Sequence, residues 1–192
     1  SLTFDKFKFL SLVQIAPDLV DQVLTVNSVS KTYAMTGWRI GYAAGPKRLI
    51  KAMAKVQSQS TAAPCSISQA AAVAALNGSH EVISERLAVL QERRDFIVSA
   101  LSEIPNLTVN VPDGTFFILL SFEKLVGRKT KNGKIITTGE DFAEYLLDSS
   151  LVATIPGEAY GLKNYVRISF AIDIDRLQVA CNRIREACLQ LQ

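Results

Sequence analysis

Residues 27–46 read NSVSKTYAMTGWRIGYAAGP, with one lysine, Lys31, among small hydroxyl residues and one arginine, Arg39, eight positions later. A lysine that forms a Schiff base must be neutral when it attacks, so it gains from a desolvated or electropositive setting. A guanidinium is a planar fork suited to bidentate capture of phosphate. Ser28 and Ser30 add hydroxyl hydrogen bonds, and Gly37 and Gly41 let backbone approach closely. These types at this spacing can hold a phosphorylated aldehyde against the lysine. A lysine near an arginine is more often a plain surface pair, so the residues alone define a candidate site and no reaction.

Other chemistry-bearing residues are sparse. His80, the single histidine, has no acidic or cysteine neighbours to suggest a triad or a metal site and reads as a residue near a helix start. Cys65, Cys181 and Cys188 lack metal-ligand spacing, and the last two stand seven apart, on one helix face. An odd number of scattered cysteines fits a reducing cytoplasm, and no metal is expected. The 21 basic and 18 acidic residues leave a net charge of +3, dispersed rather than striped, which argues against nucleic acid as the main partner. The longest apolar runs, such as AAAVAAL at 70–76, are too short to span a bilayer. No charged-then-apolar leader opens the sequence, which predicts a protein that is not secreted.

The elements that must position Lys31 follow from periodicity. Val23, Leu24 and Val26 predict a buried strand over 21–27 that runs into the Lys31 turn, and WRIGYAA predicts a second strand over 38–44. Pro46 opens a helix with Leu49, Ile50, Met53 and Val56 on one face, and SISQAAAVAALNG forms another that Gly78 stops. A long helix runs from Ser79 to about Leu101, with Ile83, Leu87, Leu90, Ile97 and Leu101 on its apolar stripe. The arginines in its SERLAVLQERRD stretch read as a solvated surface. Beyond it, LTVNV, TFFILLSF and NYVRISFAI are strands, GRKTKNGK is an exposed basic turn, and DFAEYLLDSS is a short helix capped from Thr138 to Asp141. The closing helix puts Leu177, Ala180, Cys181, Ile184, Cys188 and Leu191 on one stripe. The expected organisation is α/β: 1–80, a linking helix over 81–101, and a smaller domain over 102–192.

SVSKTYAMTGWRIG, from Ser28 to Gly41, resembles the lysine signature of class I/II pyridoxal-phosphate aminotransferases at every fixed position. PDGTFF, VATIPGEAYG and YVRISFA resemble further segments of that family, so the likeness covers essentially the whole chain. It is nearest to the bacterial aspartate aminotransferases of subgroup Ib, some of which also use prephenate. The resemblance implies the C-terminal part of a pyridoxal-phosphate-transferase type I fold, with part of a mainly parallel large-domain sheet, the linking helix and a small α/β domain. It implies that Lys31 carries the cofactor and moves the substrate proton, that Ser28 and Arg39 bind its phosphate, and that Arg167 clamps the substrate α-carboxylate. Phe116, Phe117 and Tyr160 read as core and stay outside the site.

The implied activity moves an amino group between aspartate, or a similar amino acid, and a 2-oxo acid such as 2-oxoglutarate, in a cytoplasmic homodimer. The aspartate and aromatic groups that the family places around the pyridine ring are not found in this sequence. It therefore looks like the C-terminal half alone, expected to be inactive by itself, because an unprotonated ring is a poor electron sink. A lyase or synthase on the same fold, and a ligand-sensing domain of a transcription regulator, remain as alternatives.

Overall fold

The computed structural model describes residues 2–192, which separate into two compact units, Lys6–Glu85 and Leu2–Asp5 together with Arg86–Gln192. The first unit opens with a single helical turn, α1 (Leu12–Ile15), in which Ser11 and Gln14 form a capping box. A 3-10 turn over Pro17–Gln22 follows, then strand β1 (Thr25–Ser28). Strand β2 (Gly41–Ala44) pairs antiparallel with β1, with Thr25 opposite Ala44 and Ser28 opposite Gly41. Helices α2 (Lys47–Ser60) and α3 (Ser66–Asn77) complete this unit, along with the first turn of α4 (Glu81–Ser102).

Several expectations are corrected here. The strand expected from residue 21 begins at Thr25, because Pro17 fixes φ at the start of a helical turn that runs to Gln22. The strand expected from Trp38 begins at Gly41, because Thr36–Trp38 is a 3-10 turn and Arg39 has φ +50°, incompatible with extended chain. β1 is not buried: Val26 is 71% exposed, since a lone two-stranded ribbon has no second layer over that face. β1 and β2 pair antiparallel with each other, which a mainly parallel sheet accommodates, so the expected fold class stands.

In the second unit the chain after α4 forms β3 (Thr108–Asn110), β4 (Phe117–Ser121), α5 (Gly139–Ser150), β5 (Ile155–Pro156), β6 (Tyr165–Ser169) and α6 (Ile174–Leu189). The sheet order is β3-β4-β6-β5, antiparallel throughout. Period-two alternation sends Ile118 and Leu120 of β4 and Val166 and Ile168 of β6 into one core with Phe142 and Leu146 of α5 and Leu177, Cys181 and Ile184 of α6. Thr138 caps α5 by accepting from the Asp141 N–H, and the basic turn is pinned by a bridge between Lys129 and Ile135. The solvated reading of the α4 arginines fails at Arg94. That side chain is buried, ion-paired with Asp5 at 2.7 Å and with Asp95 at 2.6 Å. Among the described residues no helix is long and apolar enough to cross a membrane.

Candidate functional site

The Lys31 hairpin is held from below by Val29 and Ile40, both buried in a small cluster with Ala72 of α3. After Val29 the chain turns at once: the Tyr33 N–H donates to the Val29 carbonyl and the Ala34 N–H to the Lys31 carbonyl. Lys31 sits on this turn and is exposed, so the desolvated setting expected for it is not made within its own unit. Ser28 Oγ lies 3.0 Å from the Ile40 carbonyl and 2.8 Å from Ser30 Oγ, and it also accepts from the Ser30 N–H. The ladder therefore joins the hydroxyl pair to the strand that Arg39 leads into. A Cβ at Gly41 would stand 3.1 Å from the Asn27 carbonyl oxygen, so a side chain there would press the two strands apart. Arg39 turns in the left-handed region, with Nη1 donating to the Thr36 carbonyl at 2.8 Å.

This donor set fits a phosphate and an aldehyde: two hydroxyls, a guanidinium and a primary amine, all on one hairpin. The sequence carries a further signal. From Gln22 to His80 there is no carboxylate, while Lys31, Arg39, Lys47, Arg48, Lys51 and Lys55 all fall in that stretch. Within residues 27–41 Lys31 and Arg39 are the only charged side chains, and two cations without a carboxylate between them favour an anion. Among the described residues no group of histidine, cysteine and carboxylate side chains could hold a metal ion.

Arg167 belongs to the other unit. On β6 it stands opposite Leu119 of β4 and Ile155 of β5, and its neighbours Val166 and Ile168 point into the core, so its side chain emerges on the opposite face. There its guanidinium lies over the Phe117 ring at 4.2 Å and the Tyr160 ring at 4.8 Å. Such stacking fixes the plane of the fork without using its N–H donors. The guanidinium opens on a pocket of about 380 Å³ lined by Pro112, Thr115, Phe117, Leu119, Tyr160 and Leu162. A cation in a mostly apolar pocket is an arrangement for holding one carboxylate. Phe117 and Tyr160, set aside as core by their sequence, are thus wall residues here. The register of β4 against β6 places Phe117 there, and the 3-10 turn Gly157–Tyr160 ahead of β6 brings Tyr160.

A family model described as Aminotransferase class I and II matches residues 2–184. The chain belongs to the class I and II aminotransferases. It is 51% identical over 187 residues to the probable aspartate/prephenate aminotransferase of Rickettsia prowazekii, covering 97% of this chain and 47% of that protein. It is 49% identical over 190 residues to the aspartate aminotransferase of Rhizobium meliloti, covering 99% of this chain and 46% of that one. The crystal structure of the Rhizobium meliloti aspartate aminotransferase superposes with a TM-score of 0.95 at 48% identity, over all of this chain and 48% of its own. That of Thermotoga maritima aspartate aminotransferase gives 0.81 at 30% identity, over 97% and 44%. This aminotransferase chain spans about half the length of the curated relatives it matches. Family members generally depend on pyridoxal phosphate.

Proposed function

We propose that the chain supplies Lys31, Ser28 and Arg39 to the pyridoxal-phosphate site, and Arg167 to the substrate site, of a full-length aminotransferase. The reaction moves an amino group between aspartate, or a similar amino acid, and a 2-oxo acid such as 2-oxoglutarate. The relatives named for aspartate and for aspartate/prephenate support that substrate class. The observation that carries the reading is the β1–β2 register, which puts Ser28, Lys31 and Arg39 on one hairpin in a stretch without carboxylates. The full-length protein is proposed to be a homodimer in the cytoplasm, a reducing compartment that suits the three free thiols.

Pyridoxal phosphate, when bound, supplies an aldehyde carbon and an electron-accepting ring. Arg39 would offer N–H donors to its phosphate, and Ser28 would add its hydroxyl by turning its one proton from the Ile40 carbonyl to the phosphate. Lys31 would hold the aldehyde carbon through its amine and would be the base that carries the proton from the substrate Cα to the cofactor. Arg167 holds the α-carboxylate, so that the Cα–H bond is presented in one orientation. Phe117 and Tyr160 keep the fork in plane and keep water from its flanks.

Incubation with pyridoxal phosphate, borohydride reduction, intact mass and peptide mapping test this. A single phosphopyridoxyl group on Lys31, absent in Lys31→Ala, is expected. Label spread over Lys47, Lys51 and other surface lysines would overturn the assignment of Lys31.

A further inference from the structure

Residues Leu2–Asp5 pack with the second unit as a strap across 112–117. Thr3 bridges Gly114, the Phe4 N–H donates to the Asp113 carbonyl at 2.8 Å, and the Thr115 N–H donates to the Leu2 carbonyl at 2.8 Å. Phe4 is almost wholly buried, its ring 6.3 Å from that of Phe170. Arg94 ties strap and loop together. Its Nη2 pairs with Asp5 at 2.7 Å, its Nη1 donates to the Pro112 carbonyl at 3.2 Å, and its Cζ lies 4.9 Å from the Phe4 ring centre.

What these contacts hold is a strained backbone. Thr115 has φ +70°, a conformation that a β-branched residue adopts only when its surroundings impose it. Thr115 and Pro112 line the Arg167 pocket, and Phe117, two residues on, stacks on the guanidinium. Gly114 leaves no room for error: a Cβ there would stand 2.3 Å from the Leu2 carbonyl oxygen.

We propose that Arg94 is a positioning residue: with the Leu2–Asp5 strap it holds 112–117 in the one shape that sets Phe117 against Arg167, and so determines how well the pocket takes a carboxylate. The inference rests on the reading of Arg167 as the carboxylate receptor. It adds a residue that touches neither substrate nor cofactor.

The test titrates the full chain with 2-oxoglutarate by calorimetry and follows the Arg167 Nε–H resonance, which the Phe117 and Tyr160 rings displace from its random-coil position. Arg94→Met and Gly114→Ala are expected to return that resonance toward random coil and to weaken binding about tenfold, the scale of a misplaced positioning group. Gly114→Ala displaces the strap at Leu2 while keeping the Arg94 cation, so it answers even if Arg94→Met fails to fold. Asp5→Asn, altered only at an exposed partner, is expected to give a smaller loss in the same direction. If Arg167→Gln abolishes binding while Gly114→Ala changes neither resonance nor affinity, the positioning role is overturned and the carboxylate reading stands. If Arg167→Gln binds as the unaltered chain does, the carboxylate reading falls and the inference falls with it. If the unaltered chain binds nothing, the Arg167 resonance decides alone, and an unmoved resonance in Arg94→Met and Gly114→Ala overturns the positioning role.

Discussion

Helices α2 and α6 carry comparable apolar stripes, and only α6 is covered. Leu177, Cys181, Ile184 and Cys188 of α6 share a core with β4, β6 and α5, whereas Leu49, Met53 and Val56 of α2 are 42%, 39% and 69% exposed. The units that own them differ in the same way. The second buries Phe122 and Phe142 stacked at 4.6 Å, and the first gathers Val29, Ile40 and Ala72. An amphipathic stripe specifies a face to be covered and does not supply the cover. The consequence for function is direct. Arg167 is oriented by elements of its own well-packed unit, while the Lys31 hairpin is held by a small cluster.

The sharpest way to break the contrast is to weaken the denser core. Phe142→Ala is expected to lower the urea-unfolding free energy by about 3–5 kcal/mol, and Val56→Ala on α2 to change it by no more than about 0.5 kcal/mol. Similar losses at both positions would mean that α2 is covered in solution.

Thiol reactivity gives the next largest difference. Burial pushes Cys181 up to about 11 and Cys188 up to about 12, while the backbone N–H of Ser68 at the start of α3 lowers exposed Cys65. Iodoacetamide should label Cys65 about a hundredfold faster than either α6 thiol in the native chain, read by peptide mass. The α6 thiols have folded pKa values above the unfolded 9.0. Their contribution to stability is thus complete below about pH 9 and is lost as pH rises toward 11–12. An unfolding midpoint that stays flat across that window would contradict their burial.

A smaller effect sharpens the second unit's own anatomy. Thr138→Ala removes the α5 cap and should cost about 1 kcal/mol. The Thr137 hydroxyl, 2.6 Å from Asp141, is the main cause holding that carboxyl well below the usual range, with the Lys134 ammonium helping at 3.2 Å. The folded value is depressed, so this stabilisation is present above about pH 4 and fades as pH falls below it. Asp141→Asn should flatten the urea midpoint between about pH 5 and pH 2. The smallest change is a gain. Leu151 closes α5 at φ +56° while 75% exposed, and Leu151→Gly should stabilise by about 0.5–1 kcal/mol in the same assay.

Sequence periodicity was enough to place every helix from α2 to α6 within a few residues, because long stripes with caps such as Thr138 or stops such as Gly78 are local signals. The stretch around Lys31 was legible as a candidate site, since hydroxyls, arginine and glycine at fixed offsets are recognisable without coordinates. What the sequence could not decide were properties of pairing. Arg39 reads as a strand residue until its left-handed φ is seen, and Val26 reads as buried until its ribbon proves to have two strands. Arg94 looks solvated beside Glu92, Arg93 and Asp95, and is buried because Asp5 and the Pro112 carbonyl, far away in sequence, converge on it. Phe117 becomes a pocket wall through the β4–β6 register, which chooses the face its side chain meets, and Tyr160 through the 3-10 turn that precedes β6. Local chemistry selected which residues could act. Long-range pairing decided which are held, and against what.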